Sequence, residues 1–291
     1  METILWKNSL KEDVRNQVSC EDPTGKQLRA KAFERAADYV LAASETRAIQ
    51  SATIVIDEGK TMEMPLVQAQ IGISSLKIIL KPHAKLNFSF LQNIKSNESS
   101  FTYLEFELEE GAELECTTGT FGAKESTLII ETNVTGSGAQ VRQKNIFFGA
   151  DDQKFEIYST TNMRGTNSQA NISAHGALQD NSHGRFDGGI VIEQTGHGCD
   201  GQLIEKALLL SNTCKIDAIP RLKIETNDVT AGHSASMTRV DEEQLFYAAS
   251  RGIPEEDAVF MIASGFMSAA YENTPFAKIA EQITSKKLRR I

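Results

Sequence analysis

From about Ala48 to Ile224 the chain alternates apolar and polar residues in short runs, separated by turn-forming Gly, Asn, Asp and Ser. The runs KLNFSF from Lys85, ELEC from Glu113 and QVRQ from Gln140 are examples, and a period of two predicts strands. A small residue leads into each unit: Ala84, Ala112, Ala139, Ala170, Gly201 and Ala231, at intervals of 28, 27, 31, 31 and 30 residues. A period near 30 built from short strands predicts the rungs of a parallel β-helix, each pairing only with its neighbours. A β-sandwich also yields many short strands, and periodicity alone leaves that alternative open. Ahead of this body, Leu28, Phe33, Ala36 and Val40 recur at helical spacing and predict an amphipathic helix from Lys26 to about Ser44.

Past Ile224 the pattern changes. Thr226-Asn227-Asp228 has turn chemistry, and Ala231-Gly232-His233-Ser234-Ala235 reads as a small-residue loop carrying one imidazole. Asp241 is placed to cap a helix beginning near Glu242, with Gln244 at capping-box spacing ahead of Leu245-Phe246-Tyr247. Arg251-Gly252 ends that helix. Pro254 with Glu255, Glu256 and Asp257 starts a second, its carboxylates at the positive end of the helix dipole. Asn273-Thr274-Pro275 breaks the second helix, and Phe276, Ile279, Ala280 and Ile283 mark a third. The expected organisation is an N-terminal helical segment (1–47), a β-helix core (48–233) and a C-terminal helical subdomain (234–291).

The order of strand, histidine-bearing small-residue run, DEEQLFY, SRGI, EEDA and an apolar helix with GF resembles the C-terminal signature of the SufB/SufD family. These are iron–sulfur cluster assembly proteins that partner the ABC-type ATPase SufC. The likeness continues more weakly upstream through Arg185-Phe186-Asp187-Gly188-Gly189-Ile190-Val191. It implies a mainly β fold, a right-handed parallel β-helix between short helical segments. It also implies a scaffold role with a transient iron–sulfur cluster as cargo. The expected partners are a SufC-like ATPase and a second SufB/SufD-type chain, giving a homodimer or a heterodimer. The ATPase-docking region expected by this likeness is the helical surface around Phe246, Arg251, Glu255 and Phe260.

Candidate metal ligands follow from residue chemistry and from the likeness together. His233 is a lone histidine, a type that more often serves structure than ligation; the likeness places it at the interface of the SufD branch with SufB. Cys214 and Cys199 are thiols near the end of the strand body, able to bind iron or accept sulfur, although a free cysteine is more often a small buried hydrophobe. Glu205 stands where the likeness puts a cysteine in the SufB branch, and Ser234 where it puts an acidic residue. Both departures bring the chain nearer to SufD or to a minimal, self-pairing form. A carboxylate ligates iron, so Glu205 remains a candidate beside its plain reading as a solvent-facing strand residue. His175, His183 and His197 sit among Gly, Ser and Asn and read as turn residues.

Composition narrows the rest. The 291 residues are 40% hydrophobic, enough for a sizeable core. A net charge of −9 and a pI near 5.2 argue against nucleic acid. No apolar run reaches the length of a membrane span and the start lacks a leader pattern, so a cytoplasmic location is expected. Cys20, Cys116, Cys199 and Cys214 show no CxxC pair, which fits a reducing compartment and gives no close-spaced metal cage. GTFGA and GSGAQ lack the GK[ST] of a P-loop; the chain is expected to bind no nucleotide, and ATPase activity is expected of the partner. The rival readings are an ATPase partner that never holds a cluster and a β-helix carbohydrate enzyme. The second needs aromatic platforms, whereas the one tryptophan, Trp6, lies outside the strand body.

Overall fold

A computed structural model describes residues 49–68, 73–95 and 97–288. The expected segment 1–47, with its helix over Lys26–Ser44, lies outside the described residues. One sheet contains β1 (Ile49–Ile56), β3 (Ile73–Leu80), β5 (Ser99–Leu108), β7 (Glu125–Val134), β9 (Lys154–Met163), β11 (His183–Ile192) and β13 (Lys215–Ile224), in that spatial order. The second contains β2 (Thr61–Gln68), β4 (Lys85–Gln92), β6 (Glu113–Thr120), β8 (Gln140–Gly149), β10 (Gln169–Leu178), β12 (Cys199–Leu209) and β14 (Val229–Arg239). From β2 and β3 onward the neighbours are parallel. The chain therefore winds from one sheet to the other and back, a β-solenoid of about six turns, as the period near 30 predicts.

In-register parallel pairing puts like positions of successive rungs over one another, so each inward column is continuous. Leu86, Leu114, Val141 and Ala170 form one such column, and all are buried. Across the interior, Phe88 meets Phe106 edge-on at 5.3 Å between ring centroids. Each fully buried Leu or Phe contributes about 1.5–3 kcal/mol, so stacking rather than local propensity holds the strands together. The small-residue ladder is present with one slip. Lys85, Glu113 and Gln140 face one another just after Ala84, Ala112 and Ala139, but the next residue on the ladder of Ala139 is Ser168. Ala170 instead pairs with Val141 and then leads through Gly201 to Ala231.

Three helices follow: α1 (Glu242–Ser250), α2 (Glu255–Tyr271) and α3 (Ala277–Leu288). Asp241 caps α1 as expected, its side chain accepting from the Glu243 N–H at 2.9 Å. Pro254 is the N-cap of α2 rather than its first helical residue, and Glu255, Glu256 and Asp257 occupy the first turn. Helices α2 and α3 cover part of the outer face of the second sheet. Ala263, Met267, Ala270, Tyr271, Phe276 and Leu288 form one apolar cluster there with Phe121, Ile146, Phe148 and Leu208. No described helix is long and apolar enough to cross a membrane.

Candidate functional site

The last rung is the place where the strand body meets the helices. His233 lies within β14, not in a loop: the small-residue run is drawn into a strand by its parallel pairing with β12, where Leu203 faces His233 and Glu205 faces Ala235. Leu203 is fully buried and points inward, so His233 shares the inward-facing row. In this end rung that row remains accessible, and His233 is exposed.

Glu205 points inward one rung earlier and is 3% exposed, which corrects its reading as a solvent-facing strand residue. Neither carboxyl oxygen has a hydrogen-bond partner. A buried acid without partners resists ionisation, and burial first, then the negative charge of Asp187, raises its pKa to about 8. The carboxyl borders a crevice of about 10 Å³ lined by Phe147, Ala174, Phe186, Ile216 and Met237, roughly the room of one water. Gly188 keeps the space beside it open: a Cβ there would stand 3.0 Å from Glu205 Oε1 and 2.6 Å from the Phe186 ring.

Asp187 is itself 3% exposed and is held by two cations. Arg221 Nε donates to its Oδ1 at 2.7 Å, Arg185 Nη2 to its Oδ2 at 3.4 Å, and the Arg185 guanidinium lies 5.9 Å from the centre of the Tyr158 ring. This grouping was not expected from the sequence. The alternation Arg185-Phe186-Asp187 was its only local sign, because Arg221 joins from the next rung.

The cysteines are placed otherwise. Cys214 is 3% exposed in the corner after β12, its thiol donating to the Leu178 carbonyl at 3.3 Å and the Ser211 carbonyl at 3.2 Å. Cys199 is buried, donates to the Gly165 carbonyl at 3.1 Å, and burial pushes its pKa up. Cys116 is wholly interior and burial raises its pKa as well. These are the surroundings of unreactive thiols. The fold thus brings His233 and Glu205 onto adjoining strands and leaves Cys214 in a corner. Among the described residues no group of three or more His, Cys, Asp and Glu could hold a metal ion.

Two further expectations change. His175 is not a turn residue: it sits inside β10, half-buried, with its ring edge-on to Phe266 of α2 at 4.4 Å. His183 begins β11 and contacts Asp217 at 3.3 Å, while His197 stays in a turn. On the helices Phe246 is 77% exposed and Arg251 lies over the Tyr247 ring at 5.3 Å, with Glu255 exposed in the first turn of α2. Phe260 is not part of that exposed face. It is half-buried against the apolar cluster, and Met261, one position on, is the exposed side chain.

The family model described as the SUF system FeS cluster assembly SufBD core domain matches residues 39–266. The chain belongs to the SufBD family. Among curated relatives, an iron–sulfur cluster assembly SufBD family protein of Mycobacterium tuberculosis is 28% identical over 200 residues, covering 69% of this chain and 24% of the relative. The iron–sulfur cluster assembly protein SufD of Bacillus subtilis is 33% identical over 154 residues, 53% of this chain and 35% of SufD. The match thus spans about a quarter to a third of these relatives. As a SufBD chain the protein has a role in iron–sulfur cluster assembly.

Proposed function

We propose that this SufBD chain is a scaffold subunit of SUF-type assembly, pairing with a second SufB/SufD-type chain through its β-helix and offering its C-terminal helices to a SufC-like ABC ATPase. The observation that carries the reading is the end rung: an exposed His233 lies on the strand beside a buried, unpartnered Glu205, in a chain with no complete ligand set among its described residues. A cluster held here as cargo takes its remaining ligands from the partner, so assembly requires an interface. ATP-driven closure of the ATPase pair pulls on α1 and α2, whose exposed Phe246, Tyr247 and Met261 are large apolar groups left in water. The chemistry on ATP belongs to the partner.

A second reading is favoured by the sealed thiols of Cys199 and Cys214: the chain binds the ATPase and never holds a cluster. Anaerobic co-expression with a SufC-like ATPase and a second SufB/SufD-type chain, followed by reconstitution with iron and sulfide, separates the two. Under the scaffold reading the visible absorbance of the complex falls in His233→Ala while its mass by size exclusion is unchanged. Absorbance untouched by that substitution, or absent in an intact complex, overturns the scaffold role in favour of the second reading.

A further inference from the structure

On the outer face of the second sheet, Arg142 and Lys144 of β8 and Lys206 of β12 flank His175 of β10. Register places Lys206 directly beside His175, and Lys144 beside Ser173 two residues earlier. Elsewhere the solenoid repeatedly neutralises its cations from the next rung: Lys77 with Glu105, Lys81 with Glu109, Lys85 with Glu113, Arg164 with Glu193. Lys144 and Lys206 differ from these, as do Lys60, Lys124, Lys154 and Lys215, but Lys144 and Lys206 are the two that share one outer face around His175. Among the described residues neither makes an ion pair or a side-chain hydrogen bond. Ile204, on the same strand as Lys206, faces outward with 43% exposure.

The geometry points to this strip as a docking surface for an acidic segment of another protein. Arg142 has exposed Glu115 of β6 in register beside it, whereas Lys144 and Lys206 have no carboxylate in register, so on a chain of net charge −9 a short carboxylate-bearing segment gains their attraction without meeting the field of the whole molecule. A long polyanion such as nucleic acid is repelled by that net charge beyond the strip. Ile204 offers the apolar contact that a protein segment uses and a phosphate backbone does not. His175 reports the local field: burial, then Lys206 and Lys144, lower its pKa to about 4. The groups facing it are these lysines, Ile146 and Phe266. This inference does not rest on the assembly reading.

The probe is a fluorescein-labelled oligoglutamate peptide, followed by anisotropy with the full chain. Binding is expected at about 50 mM salt and is lost near about 0.5 M, where screening is within a few ångströms. The surface variant K144E/K206E weakens it by at least about tenfold, whereas K154E, an exposed lysine of the first sheet, leaves it unchanged. Bound carboxylates also raise the His175 pKa, read by proton NMR. Far-UV circular dichroism confirms that both variants fold. No binding at low salt, equal weakening by K154E, or stronger competition by an oligonucleotide of matched charge overturns the proposal.

Discussion

At neutral pH the carboxyl of Glu205 keeps its proton, because burial and the charge of Asp187 raise its pKa to about 8. The unfolded chain releases that proton near the ordinary glutamate value of 4.5. The folded state thus binds more protons between these values, and stability falls as pH rises from about 4.5 to about 8, then levels off. Gln is nearly isosteric and does not ionise. E205Q is therefore expected to match the parent near pH 5 and to exceed it at pH 8.5 by several kcal/mol, about 1.4 for each unit of pKa shift. Urea midpoints at the two pH values measure this. A destabilised E205Q at pH 8.5 means the carboxylate is paired in the folded protein, which the unpartnered geometry does not allow. A side chain that costs stability at the pH where proteins work, beside an exposed histidine, fits a site kept for chemistry rather than for packing.

At the scale of elements, α3 is tied to the solenoid by one cation. Lys287 Nζ donates to the Phe121 carbonyl and to Gln153 Oε1, both at 2.6 Å, and lies 5.8 Å from the centre of the Phe148 ring. Gln179 returns a bond to the Lys287 carbonyl at 3.2 Å, so the helix is fastened to corners of several rungs. K287M leaves the carbonyl and the amide oxygen without their charged donor and is expected to cost about 1–3 kcal/mol. Hydrogen exchange should quicken in α3 and leave α1 unchanged; equal loosening of both helices would mean that Lys287 is not the tie. Little of this was legible beforehand. The period of two exposed the strands, and the cap at Asp241 and the carboxylates of α2 marked the helices, because those signals lie within a few residues of the elements they define. The strand at His233 was not legible: its Ala, Gly and Ser residues have little β preference, and pairing with β12 makes it a strand. Asp187 with Arg221, and Lys287 with Phe121, are contacts between positions 34 and 166 residues apart, invisible to local pattern. The small steps of the helix explain Phe260 as well, since one residue around α2 exchanges the cluster for solvent.

For the molecule as a whole, a solenoid is stabilised rung by rung, and a strand with neighbours on both sides is harder to open than one at an end. Strands β7 to β10 are flanked on both sides, whereas β14 pairs with β12 at the end of its sheet and most of its side chains are exposed. Its free edge is the kind of surface that either pairs with another chain or is blunted against pairing, and β14 carries no proline and one cation, Arg239. Arg239 is already engaged, donating to the Ser211 carbonyl at 2.8 Å. Native-state hydrogen exchange is accordingly expected to find the amides of β8 slowest and those of the two end strands, β2 and β14, fastest in the second sheet. Pairing through the end rung, as the proposed scaffold requires, adds protection to β14 that rises with protein concentration or with addition of a second SufB/SufD-type chain. A tenfold slowing corresponds to about 1.4 kcal/mol of added local stability and is readily resolved. If β14 is as protected as β8 in dilute monomer, and stays so when a partner is added, the end rung is not where the chains meet. His233 would then serve the fold alone.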